Sequence, residues 1–416
     1  MISAARALEI LEQLANSRRL PVEQVTLDRA SGRVLAEAVV AQEELPAFDN
    51  SAMDGYAVRS KELETYAGVL PVLRRVIAGD LVPAVHGVGA VQIMTGAPIP
   101  AGGFDAVVKV EDTESLEVNG IPSIRVLANV RVGDHIRNRG SDFRAGTSAG
   151  TSGQIIDSAA LMAFAALGIH EVPVRIRPRV RVLSTGNELQ DPGTFPLRPG
   201  CIWNATGLFL VESLRAAGAE VEYLGIAGDE TEGRSRVFEA ELARALKDRV
   251  DVLLTTGAVS MGVHDFIPRT VSESGGTIAF HRISIRPGKP LLVADFPGQG
   301  PTVLIGIPGN PISSAVSFEF FVKPYLCSIL SRKSPMPEWA ELSAPVEKPE
   351  GLRCFLRGRW SAGQGGIQRV EALPGQASFM IHSLLEAEVW IELPEGGQTF
   401  SAGSRVRIHT INGVMV

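Results

Sequence analysis

Four short segments stand where apolar runs end, and they share a chemical character. They are Thr185-Gly186-Asn187-Glu188, Gly228-Asp229-Glu230, Gly257-Ala258-Val259-Ser260-Met261-Gly262 and Pro308-Gly309-Asn310-Pro311. Small residues let the backbone come close to a ligand, and helix starts offer free N–H groups and a positive dipole to anions. A glycine after a strand is commonly just a turn, but four such segments at one edge indicate a phosphate-type site. Asn310 and Pro311 are good helix-start residues whatever the function. Ser313 and Ser314 add hydroxyls and N–H groups aimed at the same anion. Asp229 and Asp265 are equally suited to capping the helices that follow them. Glu188 is a poor turn residue and costly to bury unpaired, which favours chemistry. If Glu188, Asp229 and Asp265 converge, they make a hard-oxygen cluster suited to Mg²⁺ bridging substrate phosphates. The IRPGKP loop (285–290) adds Arg286 and Lys289, local positive charge for an anionic substrate.

The elements around these loops follow from hydropathy. Residues 3–16 carry Ala7, Leu8, Leu11 and Leu14 at helical spacing. Residues 46–146 are short β-branched runs broken by Gly, Pro and Asn-Gly, a strand-rich unit. Residues 157–167 return to helix and end at Gly168. From 177 to about 330, apolar strands at 180–184, 221–227, 250–256 and 302–307 alternate with helices. The helices run from residue 206 to Gly218, from 231 to 246, and over 311–326. Continuous Val/Ile/Leu runs separated by helices predict a parallel sheet covered on both faces. Beyond 335 the chain reverts to Gly-punctuated alternating strands, a small β-barrel-like domain. The division expected is 1–26 as a helix packed on the α/β domain, 27–45 with 147–175 as a linking domain, and 46–146 strand-rich. The α/β domain then spans 176–332 and the barrel 335–416.

Composition narrows the function classes. The chain has 416 residues, too many for one ordinary core. Its 43 glycines and 26 prolines are not periodic, and no tandem repeat is present. A net charge of −6 with interspersed signs gives no reason to expect nucleic acid or acidic lipid as a partner. Cys201, Cys327 and Cys354 are odd in number and lack CxxC spacing, which argues against a disulfide scaffold or structural zinc. No run nears the roughly 20 apolar residues of a membrane span, and residues 1–19 do not read as a signal peptide. The cytoplasm is the expected compartment.

Three more segments look chemical. PAFDNSAMDGYAV (46–58) sets Asp49, Asn50, Ser51 and Asp54 around a turn and is hard to explain by structure alone. IMTGAPIPAG (93–102) places Thr95 in a tight turn, and RGSDFRAG (139–146) adds Arg139, Asp142 and Arg144. With LSTGNEL, TTGAVSMG, RPGKP and IPGNPIS, these resemble, in order and over essentially the whole chain, the molybdopterin molybdenumtransferase family. That family is called MoeA in bacteria and the E domain of gephyrin in animals.

The resemblance implies an elongated homodimer of four-domain subunits. It implies a reaction in which adenylylated molybdopterin, received from a smaller partner enzyme, is cleaved with a divalent cation and molybdate. Molybdenum enters the dithiolene and AMP leaves, in a pocket between the α/β domain of one subunit and the strand-rich domain of the other. By position, Asp54, Thr95 and Asp142 would be the contribution in trans, and Glu188, Asp229 and Asp265 the magnesium-linked set. Ser260, Lys289 and Ser313 would bind oxyanion or phosphate, with Arg286 and Asn310 beside them, while Arg357 and Ser378 would reach the cleft from the C-terminal domain. The family commonly has Gly where Ala258 stands and Lys where Arg286 stands. The rival readings are the molybdopterin adenylylating enzyme and a non-catalytic molybdopterin-binding scaffold. Apo-molybdoenzymes or their chaperones are the expected recipients of the product.

Overall fold

The structure is a computed structural model that describes residues 1–81, 84–228, 234–259, 266–361 and 368–411. Its centre is a six-stranded sheet in the order Glu220–Ala227, Arg179–Thr185, Val252–Thr256, Val303–Ile307, Leu292–Asp295, Thr277–His281. The first four strands are parallel, as the uninterrupted apolar runs predict. Beyond the four expected strands, Leu292–Asp295 pairs antiparallel on both of its sides and so alone runs against the others. It is joined to its neighbours by short connections, so no crossover helix separates them and each return pairs antiparallel.

Alternation along each central strand divides the side chains between two cores. Val182, Leu254 and Ile305 face one side, where the helices Ala4–Asn16, Ala205–Ala216, Pro311–Ser317 and Lys323–Ile329 pack. Leu183, Leu253 and Leu304 face the other, against Arg236–Lys247 and Ile267–Glu273. Three layers result. The helix expected from residue 231 starts at Arg236, because the Ser235 side chain accepts from Phe238 N and caps it there. The single helix expected over 311–326 is interrupted by a π turn, Phe318–Val322, before Lys323–Ile329. Pro324 has no N–H to continue the ladder, and the turn absorbs that break.

The Ala4–Asn16 helix buries Ala4, Ala7, Leu11 and Ala15 in the first of these cores. Val22–Thr26 then pairs with Glu171–Arg175. The strand-rich unit is a sheet in the order Ala106–Lys109, Gly55–Val58, Ala90–Ile93, Val69–Val76, Ile121–Val126, Thr113–Val118. Its terminal hairpin turns at Asn119 and Gly120, both at positive φ (51° and 78°), as a tight Asn-Gly turn requires.

Downstream, Arg353–Ser361 pairs with both Arg369–Ala372 and Val389–Leu393. Through Glu338–Leu342 and Arg405–Thr410 the ring closes into a five-stranded barrel. Ile285–Arg286, expected as loop, is a short strand paired parallel to Arg353 and Cys354 of the barrel wall. Phe320 of the π turn stacks on Phe355 with ring centroids 3.9 Å apart, seating the barrel on the α/β domain. Among the described residues no helix is long and apolar enough to cross a membrane.

Candidate active site

A cleft of about 690 Å³ opens beyond the carboxyl ends of three neighbouring central strands. Thr185, Gly186 and Glu188 line it from the first, Thr256 to Val259 from the second, and Pro308 to Pro311 from the third. These strands are adjacent in the sheet, so their loops converge at the switch point where open α/β sheets bind ligands. The fourth segment, at Gly228, follows the outer strand, and only its Gly228 is described.

Close approach explains the small residues. At Gly186 (φ +136°) a Cβ would collide with the Glu188 carboxylate, which lies folded over that peptide. At Gly257 a Cβ would stand 2.7 Å from Thr185 Oγ1, and Gly257 Cα lies only 3.7 Å from where a Cβ on Gly309 would be. Thr185 Oγ1 donates to the Thr256 carbonyl at 2.6 Å, and His281 Nε2 lies 2.6 Å from the Val259 carbonyl. The floor is therefore cross-tied between loops. Ala258 follows Gly257 at φ +51°, a left-handed conformation in a residue that bears a Cβ.

One wall is the start of the Ala205–Ala216 helix. Asn204 is 2% exposed, and its Oδ1 accepts from Gly207 N at 3.1 Å while its Nδ2 donates to Ser184 Oγ and Tyr223 Oη. Tyr223 Oη donates to Asp191 at 2.9 Å, and burial of the phenol raises its pKa to about 12. Trp203, Ile202, Phe379 and Ile381 also line the cleft. Sequence reading missed all of these; the signal available was Asn204 as a helix cap just ahead of an expected helix.

The expected anion binders fall into several environments. Asn310 holds the N-cap position of Pro311–Ser317 but makes no capping bond with its side chain, and it stays exposed at the cleft. Ser314 departs from expectation: its hydroxyl is buried and donates to the Pro308 and Asn310 carbonyls, so it closes the turn instead of facing a ligand. Ser313 is 5% exposed. Lys289 and Arg286 are exposed, and the Lys289 carbonyl accepts from Ile283 N and Leu291 N, which fixes the basic turn. Neighbouring Pro290 lines the cleft. Glu188 is exposed at the cleft, whereas Ser260, Asp229 and Asp265 lie outside the described residues. Among the described residues no group of three potential metal ligands is gathered.

Arg357 is fully buried in the barrel wall and does not line the cleft. It donates to the Gly375 carbonyl at 2.6 Å, while Nε and Nη1 have no partner among the described residues. Desolvation lowers its pKa to about 10. The segment it holds continues to Ser378, whose carbonyl accepts from Ile312 N at 3.0 Å, and then to Phe379 and Ile381 at the cleft.

The strand-rich unit places its residues elsewhere. Asp54 Oδ1 accepts from Thr95 N at 2.7 Å and from Thr95 Oγ1 at 2.9 Å, and these two bonds hold its carboxyl below the usual range. Both residues are exposed, as is Asp142, and none of the three lines the cleft. The other polar residues of 46–58 do have structural work. Asp49 accepts from Arg139 N, Asn50 donates to the Phe48 carbonyl, and Ser51 donates to the Met53 carbonyl, so the turn is largely self-explained. Arg139 also pairs with Glu44.

Three family models match the chain in succession. Residues 2–168 match the MoeA N-terminal region (domain I and II), 181–328 a probable molybdopterin binding domain, and 340–411 the MoeA C-terminal region (domain IV). The chain is similar to a protein of Synechococcus elongatus named molybdopterin molybdenumtransferase, 39% identical over 420 residues, with 99% of this chain and 100% of the relative covered. A Bacillus subtilis protein of the same name is 34% identical over 393 residues, covering 93% and 89%. A solved structure of a molybdopterin biosynthesis MoeA protein from Pyrococcus horikoshii superimposes with a TM-score of 0.80 at 26% identity, covering 99% of this chain and 100% of that one.

Proposed function

Since the chain belongs to the molybdopterin molybdenumtransferase (MoeA) family, we propose that its cleft takes adenylylated molybdopterin and that the protein inserts molybdenum from molybdate, releasing AMP. The observation that carries this reading is the convergence of three strand-end loops on one cleft, with the Glu188 carboxylate over Gly186 at its floor. The volume suits a nucleotide-sized ligand, since such sites run to about 300–1,000 Å³. The phosphoanhydride P–O bond breaks as water adds to phosphorus; AMP departs, and the freed molybdopterin presents its dithiolene to molybdate.

This chain's residues bind and orient. Asn310 and Ser313, with Ser260, present amide and hydroxyl groups to phosphate or to tetrahedral molybdate, and Lys289 and Arg286 supply the positive charge. Arg357 and Ser378 set the barrel segment that closes one side. The described cleft lining holds a carboxylate oxygen and no thiol or imidazole, which is donor chemistry that fits Mg²⁺. Glu188 with Asp229 and Asp265 would hold the ion, which when bound offsets phosphate charge as a Lewis acid.

Asp54, Thr95 and Asp142 serve the cleft of a second subunit in a homodimer, which accounts for exposed chemical residues that do not line their own chain's cleft. The protein works in the cytoplasm, receiving substrate from an adenylyltransferase and passing product to apo-molybdoenzymes or their chaperones. The test is AMP release from adenylylated molybdopterin with molybdate and tungstate in parallel. Metal-dependent release with molybdopterin loaded is expected. Formation of adenylylated molybdopterin from ATP would assign the adenylylating step instead, and binding without turnover would make the protein a scaffold.

A further inference from the structure

The polar groups of the cleft leave its apolar lining unexplained. Leu189, Ile202, Trp203, Phe379 and Ile381 give the same cleft an apolar lining beside the loops that suit phosphate. Trp203 is the largest of these side chains, and it is only partly buried. Its backbone is pinned on both sides: Ile202 N donates to the Glu188 carbonyl at 2.7 Å, and Asn204 N donates to the Gln190 carbonyl at 2.9 Å. Asn204 in turn starts the Ala205–Ala216 helix. Phe195 packs against the Trp203 ring with centroids 5.2 Å apart and planes at 61°, so the two rings are not stacked face to face. Phe379, 70% exposed, stands on the same cleft from the barrel side. An indole on a pinned backbone beside a phosphate-type floor suits planar ring systems, because stacking needs a π-face and tolerates any heterocycle.

We propose that Trp203 is the stacking platform for a planar heterobicyclic ring of the substrate, and so a positioning residue that sets where the phosphates lie relative to Glu188. This rests on the substrate assignment above. The substrate carries two such rings, a pterin and an adenine, and the chemistry that Trp203 recognises is common to both. The residue before Trp203 is hydrogen-bonded to the Glu188 backbone, so the two segments that carry the ring and the carboxylate are held side by side. A ring seated on the indole would bring its attached phosphate toward the strand-end loops that line the same cleft.

The experiment measures binding of AMP, neopterin and ribose 5-phosphate by calorimetry to the intact protein and to its Trp203→Ala and Trp203→Phe variants. AMP presents adenine, neopterin presents a pterin, and ribose 5-phosphate presents neither. Trp203→Ala is expected to weaken the ligand whose ring stacks there by roughly five- to a hundred-fold. It should leave ribose 5-phosphate unchanged, and Trp203→Phe should restore most of the loss. Whichever of AMP and neopterin responds identifies the ring. The proposal is overturned if neither responds, or if ribose 5-phosphate weakens equally, which would mark Trp203 as a packing residue propped by Phe195. A wild-type protein that releases AMP from adenylylated molybdopterin while Trp203→Ala keeps its KM would refute the stack and leave the function standing. A wild-type protein that releases no AMP would remove the premise and the proposal with it.

Discussion

Single residues carry the strain and the charge of this site. Glu188 is exposed and folded over a glycine, so its carboxylate contributes to the site and little to the fold. Glu188→Gln keeps the shape and removes the charge. AMP release should fall by about 100-fold or more, the scale of losing one electrostatic group in a catalytic site, with the melting temperature unchanged. Wild-type turnover in that variant would take Glu188 out of the chemistry. Gly257 and Ala258 make a contrasting pair. Gly257→Ala forces a Cβ to within 2.7 Å of Thr185 Oγ1 and 2.8 Å of its carbonyl, and should destabilise by about 1–3 kcal/mol in urea titration. Ala258→Gly relieves a left-handed residue at a gain of about 1 kcal/mol but frees the unfolded chain by a similar amount, so stability should stay within about 0.5 kcal/mol. Asp54 has a depressed pKa, so its contribution is present above the unfolded value near 3.8 and is lost as pH falls through the lower folded value. Thr95→Ala deletes the hydroxyl donor and keeps the amide, so an NMR titration of Asp54 should move only part of the way back. No movement would mean that the hydroxyl does not hold it.

At the scale of elements, the segment 375–381 shows how a buried residue acts at a distance. Arg357 reaches no ligand, yet it anchors the Gly375 carbonyl and so the course of the chain to Phe379 and Ile381. A guanidinium with two nitrogens unpaired among the described residues is expensive to bury in a closed wall. Arg357→Met removes that cost, and the Gly375 carbonyl keeps Ser383 Oγ as a donor at 3.0 Å. We expect the barrel to lose little stability, or to gain some, while the KM for substrate rises several-fold as the segment loosens. Thermal melts and steady-state kinetics on the same preparation separate the two effects. Loss of stability with KM unchanged would make Arg357 a structural residue only.

The whole molecule poses the question of what completes the site. Asp54 and Thr95 form an exposed, pre-organised carboxylate on a domain that does not line the cleft of its own chain. If two subunits complete each other, Asp54→Ala and Glu188→Gln proteins should each be inactive alone. Mixed and allowed to exchange, they should regain activity, up to about one good site per heterodimer, because an isologous interface duplicates each site. Subunit exchange without recovery would confine the site to one chain.

Much of this protein is written locally. The central strands were legible because a strand buried on both faces is apolar at consecutive positions, as at Val182 and Leu183, and the barrel because alternation with glycine punctuation has few other solutions. The loops at Gly186, Gly257 and Gly309 were legible because close backbone approach needs residues without bulk. What the chain alone did not reveal are the matters decided between distant segments. The antiparallel pairings of Leu292–Asp295 are chosen by its neighbours, and Ile285–Arg286 becomes a strand only against the barrel wall. Asp49 and Ser51 looked chemical until folding supplied Arg139 N and the Met53 carbonyl as their partners. Conversely, nothing in the sequence marks Trp203, and only the strand order, which sets three loops side by side, leaves it on the wall of a cleft. Periodicity records which face of an element is buried, but it carries no information about which other element does the burying.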